Sequence, residues 1–309
     1  MAKQLFKSSE HQALFDKQGF IVLPFLTANE VAHLNAFFDA LHPNLVENGF
    51  VSGSYSSDYD YKKKASDEIV AVFERAYAQY FENYTPFGGA FLYKTPGSAS
   101  ALAAHQDWTI VDEQTDVALN CWVPLCDITP DNGPIMILPG SQYSKHPVLR
   151  APTLPFFFSG QDEIVMQELE PMLVTAGTAV ILNQSVIHYS PSNTSQHIRK
   201  AITAGVKSAG AQMRFHYKVP DQDVLEVFEQ QDDFLIRFDN FISDIGQRPK
   251  IGNFIGELPY VLPQYNKEEL RELIGHLKTS AGYVLRYQAN STTKPEQRSF
   301  LQRLKSLFN

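Results

Sequence analysis

His105 and Asp107 stand two apart in AHQDW, inside a β-like run, and residues i and i+2 of a strand project from the same face. An imidazole and a carboxylate so placed could reach one metal ion. The spacing alone decides little. Each of the nine histidines has roughly a one-in-twenty chance of an Asp two places on, so about half a match is expected at random.

A second cluster raises the weight. In TAVILNQSVIHYSPSNTSQHIRKAI an apolar strand runs into His188, and a further strand opens with Arg199 eleven residues later. Two histidines and one carboxylate on one face of an octahedral metal leave three positions open, the arrangement of non-haem Fe(II) oxygenases. A bidentate 2-oxo acid and dioxygen would take those positions. A planar guanidinium beside them could clamp the far carboxylate of 2-oxoglutarate with two parallel bonds, and Arg199 is placed for that role. His197 competes with His188 for the third ligand. It lies in a polar loop with no apolar strand before it, whereas ligands are held best by rigid elements, so His188 is preferred.

With those residues in place, the chain resembles the phytanoyl-CoA dioxygenase family of Fe(II)/2-oxoglutarate oxygenases. That family's pattern is His-X-Asp, a later His, and an Arg about eleven residues after it. DKQGFIVLPFLTANEVAHLNAFF resembles its N-terminal block, and NGPIMILPGSQ its Gly-rich turn and Pro-Gly-Ser segment. The resemblance covers roughly residues 10 to 218. It implies metal ligation by His105, Asp107 and His188, a hydrogen bond from Ser190 to 2-oxoglutarate, and a co-substrate slot lined by Trp122. Strand alternation in VALNCWVPL puts Asn120 on the same inward face as Trp122.

The activity so implied consumes Fe(II), 2-oxoglutarate and O2, releases succinate and CO2, and hydroxylates an unactivated C–H of a small molecule. Desaturation or cyclisation on the same site is the nearest alternative. Halogenation is disfavoured because Asp107 occupies the place that chloride would need. A reading from another class is a non-catalytic metal or 2-oxoglutarate binder that contacts a protein partner.

Three features are candidates for substrate contact. Phe156, Phe157 and Phe158 lie in a long segment, where a lid over an apolar substrate and simple docking of the loop are equal expectations. Lys94 could meet an anionic group, against the commoner solvated lysine. The run of lysines at 62–64 reads as a solvated loop rather than a phosphate site.

The elements that must hold these groups read as mainly β with flanking helices: a double-stranded β-helix, or jelly roll, of the cupin type with helical additions at both ends. Ser9 with Gln12 and Thr27 with Glu30 have capping-box spacing, and a third helix is expected from Ser66. From Phe91 to about Val219 short β-like runs, EIVMQEL among them, alternate with Gly, Pro, Asn and Asp. After Val219 the pattern turns helical, through FEQQDDFLIRFDNFI, a helix capped by Asn266, a linker and a last helix in PEQRSFLQRLKSLFN. The expected division is an oxygenase domain over residues 1–219 and a helical extension over 220–309 packed on it.

Composition sets the outer bounds. Lys plus Arg at 26 against Asp plus Glu at 34 gives a net charge of −8, which lacks the charge that nucleic-acid binding needs. Cys121 and Cys126 make neither a disulfide framework nor a usual zinc site. No signal peptide or spanning helix is legible, so a cytoplasmic protein with no membrane partner is expected. Nothing in the sequence sets an oligomeric state.

Overall fold

The structure is a computed structural model that describes residues 3–45, 48–142, 148–238 and 244–282. The chain enters through α1 (Ser9–Gln18), whose cap is Ser8, one residue before the expected Ser9; its hydroxyl accepts from the His11 amide. Gly19, at φ +81°, stops the helix and turns directly into β1 (Phe20–Pro24). The Thr27–Glu30 capping box forms as expected and starts α2 (Ala28–Leu41). After the short strand β2 (Phe50–Ser52), α3 (Tyr59–Tyr80) begins seven residues earlier than Ser66, because Asp58 caps it. Lysines 62–64 therefore lie in a helix, not a loop, and Lys62 is buried.

The strands that follow are β3 (Tyr84–Lys94), β4 (Leu102–His105), β5 (Ala118–Pro124), β6 (Met136–Ile137), β7 (Glu170–Pro171), β8 (Thr178–Asn183), β9 (His188–Ser190) and β10 (Arg199–Ser208). They form two sheets with antiparallel pairing throughout, one of six strands in the order β1-β8-β5-β10-β3-β2 and one of four in the order β4-β9-β6-β7. This is the jelly roll read from the sequence. Strand alternation sorts its cores. Leu119, Cys121 and Val123 face outward into a core shared with Leu34, Phe38, Phe73 and Tyr77 of α2 and α3. Trp122, Val180 and Ala201 point the other way and meet Ile135 and Ile137.

EIVMQEL is not a strand. Asp162–Met166 form the short helix α4, and the strand β7 starts only at Glu170. The helical reading beyond Val219 is also corrected. β11 (Met213–Lys218), β12 (Val224–Gln230) and β13 (Asn253–Pro259) make a third antiparallel sheet, so a boundary at 219 would cut between two paired strands. Phe228, Phe234 and Phe238 do share one core, but a turn between β12 and the four-residue helix α5 (Phe234–Arg237) brings them together, not one long helix. The helix capped by Asn266, α6 (Lys267–Ala281), forms with the capping box Asn266–Glu269. The linker and final helix expected after it lie outside the described residues. Among the described residues both cysteines are free, and no helix is long and apolar enough to cross a membrane.

Candidate metal centre and its pocket

His105 ends β4 and His188 begins β9, and the antiparallel register sets them directly opposite each other. Their ring centroids are 4.1 Å apart. Asp107, two residues past His105, brings a carboxylate oxygen within 3.9 Å of His188 Nε2, and one ligand atom from each of the three lies within 4.8 Å of the others. Each ring is oriented by backbone two residues earlier: His105 Nδ1 donates to the Ala103 carbonyl at 2.7 Å and His188 Nδ1 to that of Val186 at 3.0 Å. A carbonyl only accepts, so each Nδ1 carries a proton and Nε2 is the ring atom that could ligate a metal. Burial, then the neighbouring His188 ring, holds the His105 pKa well below the usual histidine value, which keeps it unprotonated and able to ligate.

Asp107 is held from two sides. Its Oδ2 accepts from Asn120 Nδ2 at 3.1 Å, and Asn120 in turn accepts from the Thr203 hydroxyl. Its backbone carbonyl accepts from Arg150 Nε at 2.9 Å, while the Arg150 amide donates to Thr109 Oγ1 at 3.1 Å. Nη1 and Nη2 of Arg150 donate to the two carboxylate oxygens of Glu113, and Nη1 also to the Val148 carbonyl. Sequence reasoning placed Asn120 toward a co-substrate; here its amide steadies the metal-facing carboxylate. Arg150 was missed altogether, since a lone Arg in a long loop carries no spacing signal.

Arg199, the first residue of β10, is the opposite case. It is 2% exposed, yet its Nε and Nη1 have no partner among the described residues. Trp122 flanks it, with the guanidinium carbon 5.5 Å from the ring centroid. Burial pulls its pKa down to about 10, still charged at neutral pH.

Ser190 is buried close by, but its hydroxyl donates to the Gly133 carbonyl at 3.0 Å, so its proton is not free for a 2-oxo acid. Lys94 is not solvated: it is fully buried, and its Nζ donates to the carbonyls of Ser190 at 2.9 Å and Pro191 at 2.6 Å. Asn193, also missed, clasps the β9–β10 connection by donating to the Lys94 and His197 carbonyls at 3.0 and 2.7 Å. Asn and Ser in SPSNTSQH were its only signal, the composition of side chains that bond to nearby backbone. His197 itself is exposed.

Beside His105 and Asp107 lies a cavity of about 220 Å3 with walls from Tyr55, Phe87, Trp108, Ile110, Leu235 and Ile236. Gly205 forms part of the floor, and a Cβ there would fall 2.0 Å from the Phe87 ring. Tyr55 keeps its proton, because burial and the Asp107 charge push its pKa upward. Phe156, Phe157 and Phe158 are not in these walls. Phe157 and Phe158 are 5% and 0% exposed and pack with Ile164, Val165 and Leu270, Ile274 of α6, so the lid expectation gives way to core packing.

A profile of the family described as phytanoyl-CoA dioxygenase (PhyH) matches residues 15–201, more than half of the chain. The chain belongs to the phytanoyl-CoA dioxygenase family. Within it, phytanoyl-CoA dioxygenase 1 of Oryza sativa subsp. japonica is 27% identical over 118 residues, 38% of this chain and 42% of that protein. Phytanoyl-CoA dioxygenase domain-containing protein 1 of Danio rerio is 31% identical over 120 residues, 37% and 41% of the two chains. The matched stretch thus spans less than half the length of either relative. Among solved structures, the non-haem 2-oxoglutarate-dependent carbocyclase SnoK of nogalamycin biosynthesis aligns with 67% of this chain and 87% of its own, at 18% identity and a TM-score of 0.48. HygX from Streptomyces hygroscopicus, with nickel and 2-oxoglutarate bound, aligns with 64% and 86%, at 17% identity and a TM-score of 0.46.

Proposed function

We propose that this family member is an Fe(II)- and 2-oxoglutarate-dependent dioxygenase that hydroxylates an unactivated C–H bond of a small molecule. The observation that carries the reading is Arg199. A buried guanidinium with unmet N–H groups is costly, at about 1–3 kcal/mol or more for each unsatisfied charged donor. Arg150 shows that this chain gives every nitrogen of a buried guanidinium a hydrogen-bond acceptor where its role is structural. A carboxylate bound bidentately would satisfy Arg199 in the same way.

The donor set fits the metal. Two imidazoles and one carboxylate converge on one point, and the protein supplies no fourth ligand among the described residues. When bound, iron with 2-oxoglutarate and O2 supplies the oxidising power, and succinate and CO2 leave as co-products.

The rest is the work of the chain. His105, Asp107 and His188 would hold the metal, with Asn120 fixing which Asp107 oxygen turns toward it. Arg199 would anchor the 2-oxo acid at its far end, with Trp122 excluding water from the ion pair. The walls of Phe87, Trp108, Ile110 and Leu235 favour a largely apolar substrate body and keep bulk water from the reacting centre.

The test is succinate formation by Fe(II)-loaded protein. It should require 2-oxoglutarate and O2, vanish in Asp107→Ala, and rise when a compound that fits the apolar cavity is added. Failure of the Fe(II) protein to bind 2-oxoglutarate under anaerobic conditions would end this reading.

A further inference from the structure

Gln184 and Ser185 form the turn that leaves β8 and leads to His188. The backbone on both sides of Gln184 is pinned. The Asn183 amide donates to the Gly19 carbonyl at 2.8 Å, and the Val186 amide closes the turn on the Asn183 carbonyl at 3.0 Å. The Ser185 amide and hydroxyl both donate to Asn183 Oδ1, at 2.9 and 2.6 Å. From the metal side Gln106, between His105 and Asp107, donates through Nε2 to the Ser185 carbonyl. A turn held this closely presents the one side chain it leaves untied in a fixed place.

That side chain is Gln184. It is 6% exposed and lines the cavity beside His105 and Asp107, yet neither end of its amide makes a hydrogen bond among the described residues. Gln106, Gln142 and Gln161 also have an Oε1 without a donor, but each spends its Nε2 on a backbone carbonyl. Asn132 and Asn193, buried too, use both ends of their amides. A buried amide left wholly unmet costs stability, and an apolar residue of the same shape would avoid that cost. Gln184 Oε1 is enclosed, whereas Nε2 is not among the enclosed atoms, so the donor end of the amide opens on the cavity. The charged residues of that lining besides His105 are already engaged: Asp107 accepts from Asn120, and Lys62 donates to the Phe238 carbonyl. What the cavity offers a ligand is therefore a neutral N–H donor set among apolar walls.

We propose that Gln184 selects the substrate, a neutral molecule with an apolar body and a carbonyl oxygen that accepts from Gln184 Nε2. The proposal rests on the dioxygenase reading above and deepens it. An oxygen tethered beside the metal-facing residues fixes which C–H of the apolar body is turned toward the metal, so Gln184 is a specificity and positioning residue for the reaction.

The experiment uses Fe(II)-loaded protein with 2-oxoglutarate under anaerobic conditions and two probes, 1-cyclohexylethanone and isopropenylcyclohexane, in which a CH2 group replaces the carbonyl oxygen without changing the shape. Equilibrium dialysis gives the ratio of their dissociation constants. Wild type should favour the ketone relative to Gln184→Met by about fivefold or more, the worth of one neutral hydrogen bond. The melting temperature of ligand-free Gln184→Met should equal or exceed that of wild type, since no protein partner is lost. Gln184→Glu keeps the shape and removes the donor, and should lose the ketone preference as Met does. A ratio unchanged in both variants, a wild type that binds neither probe, or a melting temperature several degrees lower in Gln184→Met would overturn the proposal and make the amide structural. Binding of 2-oxoglutarate is measured on the same samples. If it binds and the ketone preference is absent, this proposal falls alone; if it fails to bind while the preference is present, the dioxygenase reading falls and Gln184 remains a ligand-selecting residue.

Discussion

Across the β4–β9 pair, His105 and His188 face each other as register partners, and the same bond fixes each ring, from Nδ1 to the carbonyl two residues earlier in the chain. The pairing of two short strands therefore does what a preformed ligand cage would do. Any substitution that slips this register moves both nitrogen ligands at once.

Metal content distinguishes the two histidines near Arg199. His188→Ala should lose most bound Fe(II) on dialysis, whereas His197→Ala, altering an exposed side chain, should keep it. Elemental analysis of the two proteins settles the ligand. Normal iron in His188→Ala with loss in His197→Ala would reverse the assignment.

Asn120→Ala removes the amide that holds Asp107 Oδ2 and leaves the Thr203 hydroxyl without its acceptor. Groups that orient a ligand from outside the metal typically matter about 10- to 100-fold in metal affinity. A competition titration with a chelator should show a loss in that range with the fold intact by circular dichroism. Unchanged affinity would mean that Arg150 alone suffices to set the carboxylate.

The three phenylalanines now carry a prediction about stability. Phe158→Ala empties a fully buried site between α4 and α6 and should cost about 3–5 kcal/mol in denaturant unfolding. Hydrogen exchange at residues 155–160 should be the same with and without the metal and 2-oxo acid. Protection that appears only with ligands would restore the lid.

His216 links stability to pH through the loop of Asp107. Its Nδ1 donates to the Thr109 carbonyl, and burial, aided by the Arg214 and Arg150 charges, brings its pKa down to about 4. The unfolded chain, with an ordinary value of about 6.5, binds the extra proton first. This contribution is therefore intact above about pH 6.5 and is lost as pH falls through 4, by up to about 3 kcal/mol. His216→Asn keeps a donor and cannot titrate. Metal-loaded wild type and variant should diverge in their melting temperatures over that window, and parallel curves would place the titration elsewhere.

The metal-facing triad and Arg199 were legible because closely spaced ligands and a rigid apolar run before His188 are local signals, although Asp107 lies two residues past the end of β4 and not within the strand its spacing implied. So was the inward face of Trp122. Arg150, Asn193 and the burial of Lys94 were not, because each acts through partners far along the chain: Arg150 with Asp107, Asn193 with Lys94, Lys94 with Ser190. Elements failed where apolar spacing had two explanations. EIVMQEL could bury Ile164 and Val165 from a helix as well as from a strand, and β12 with α5 places Phe228 and Phe234 in one core with the spacing of an amphipathic helix.

Ala104 and Ile187, each just before a metal-facing histidine, pack in the same core as Leu270, Leu273, Ile274 and Leu277 of α6. The brace for both strands is therefore the last element that a ribosome delivers among those described. During synthesis His105, Asp107 and His188 all emerge long before the helix that steadies them, so a nascent chain carries its complete donor set on strands that are not yet rigid. Metal loading of this site would then belong after translation of α6, and a transcript broken anywhere between the codons for Arg199 and Leu270 would yield a product with His105, Asp107 and His188 but without the helix that braces their strands.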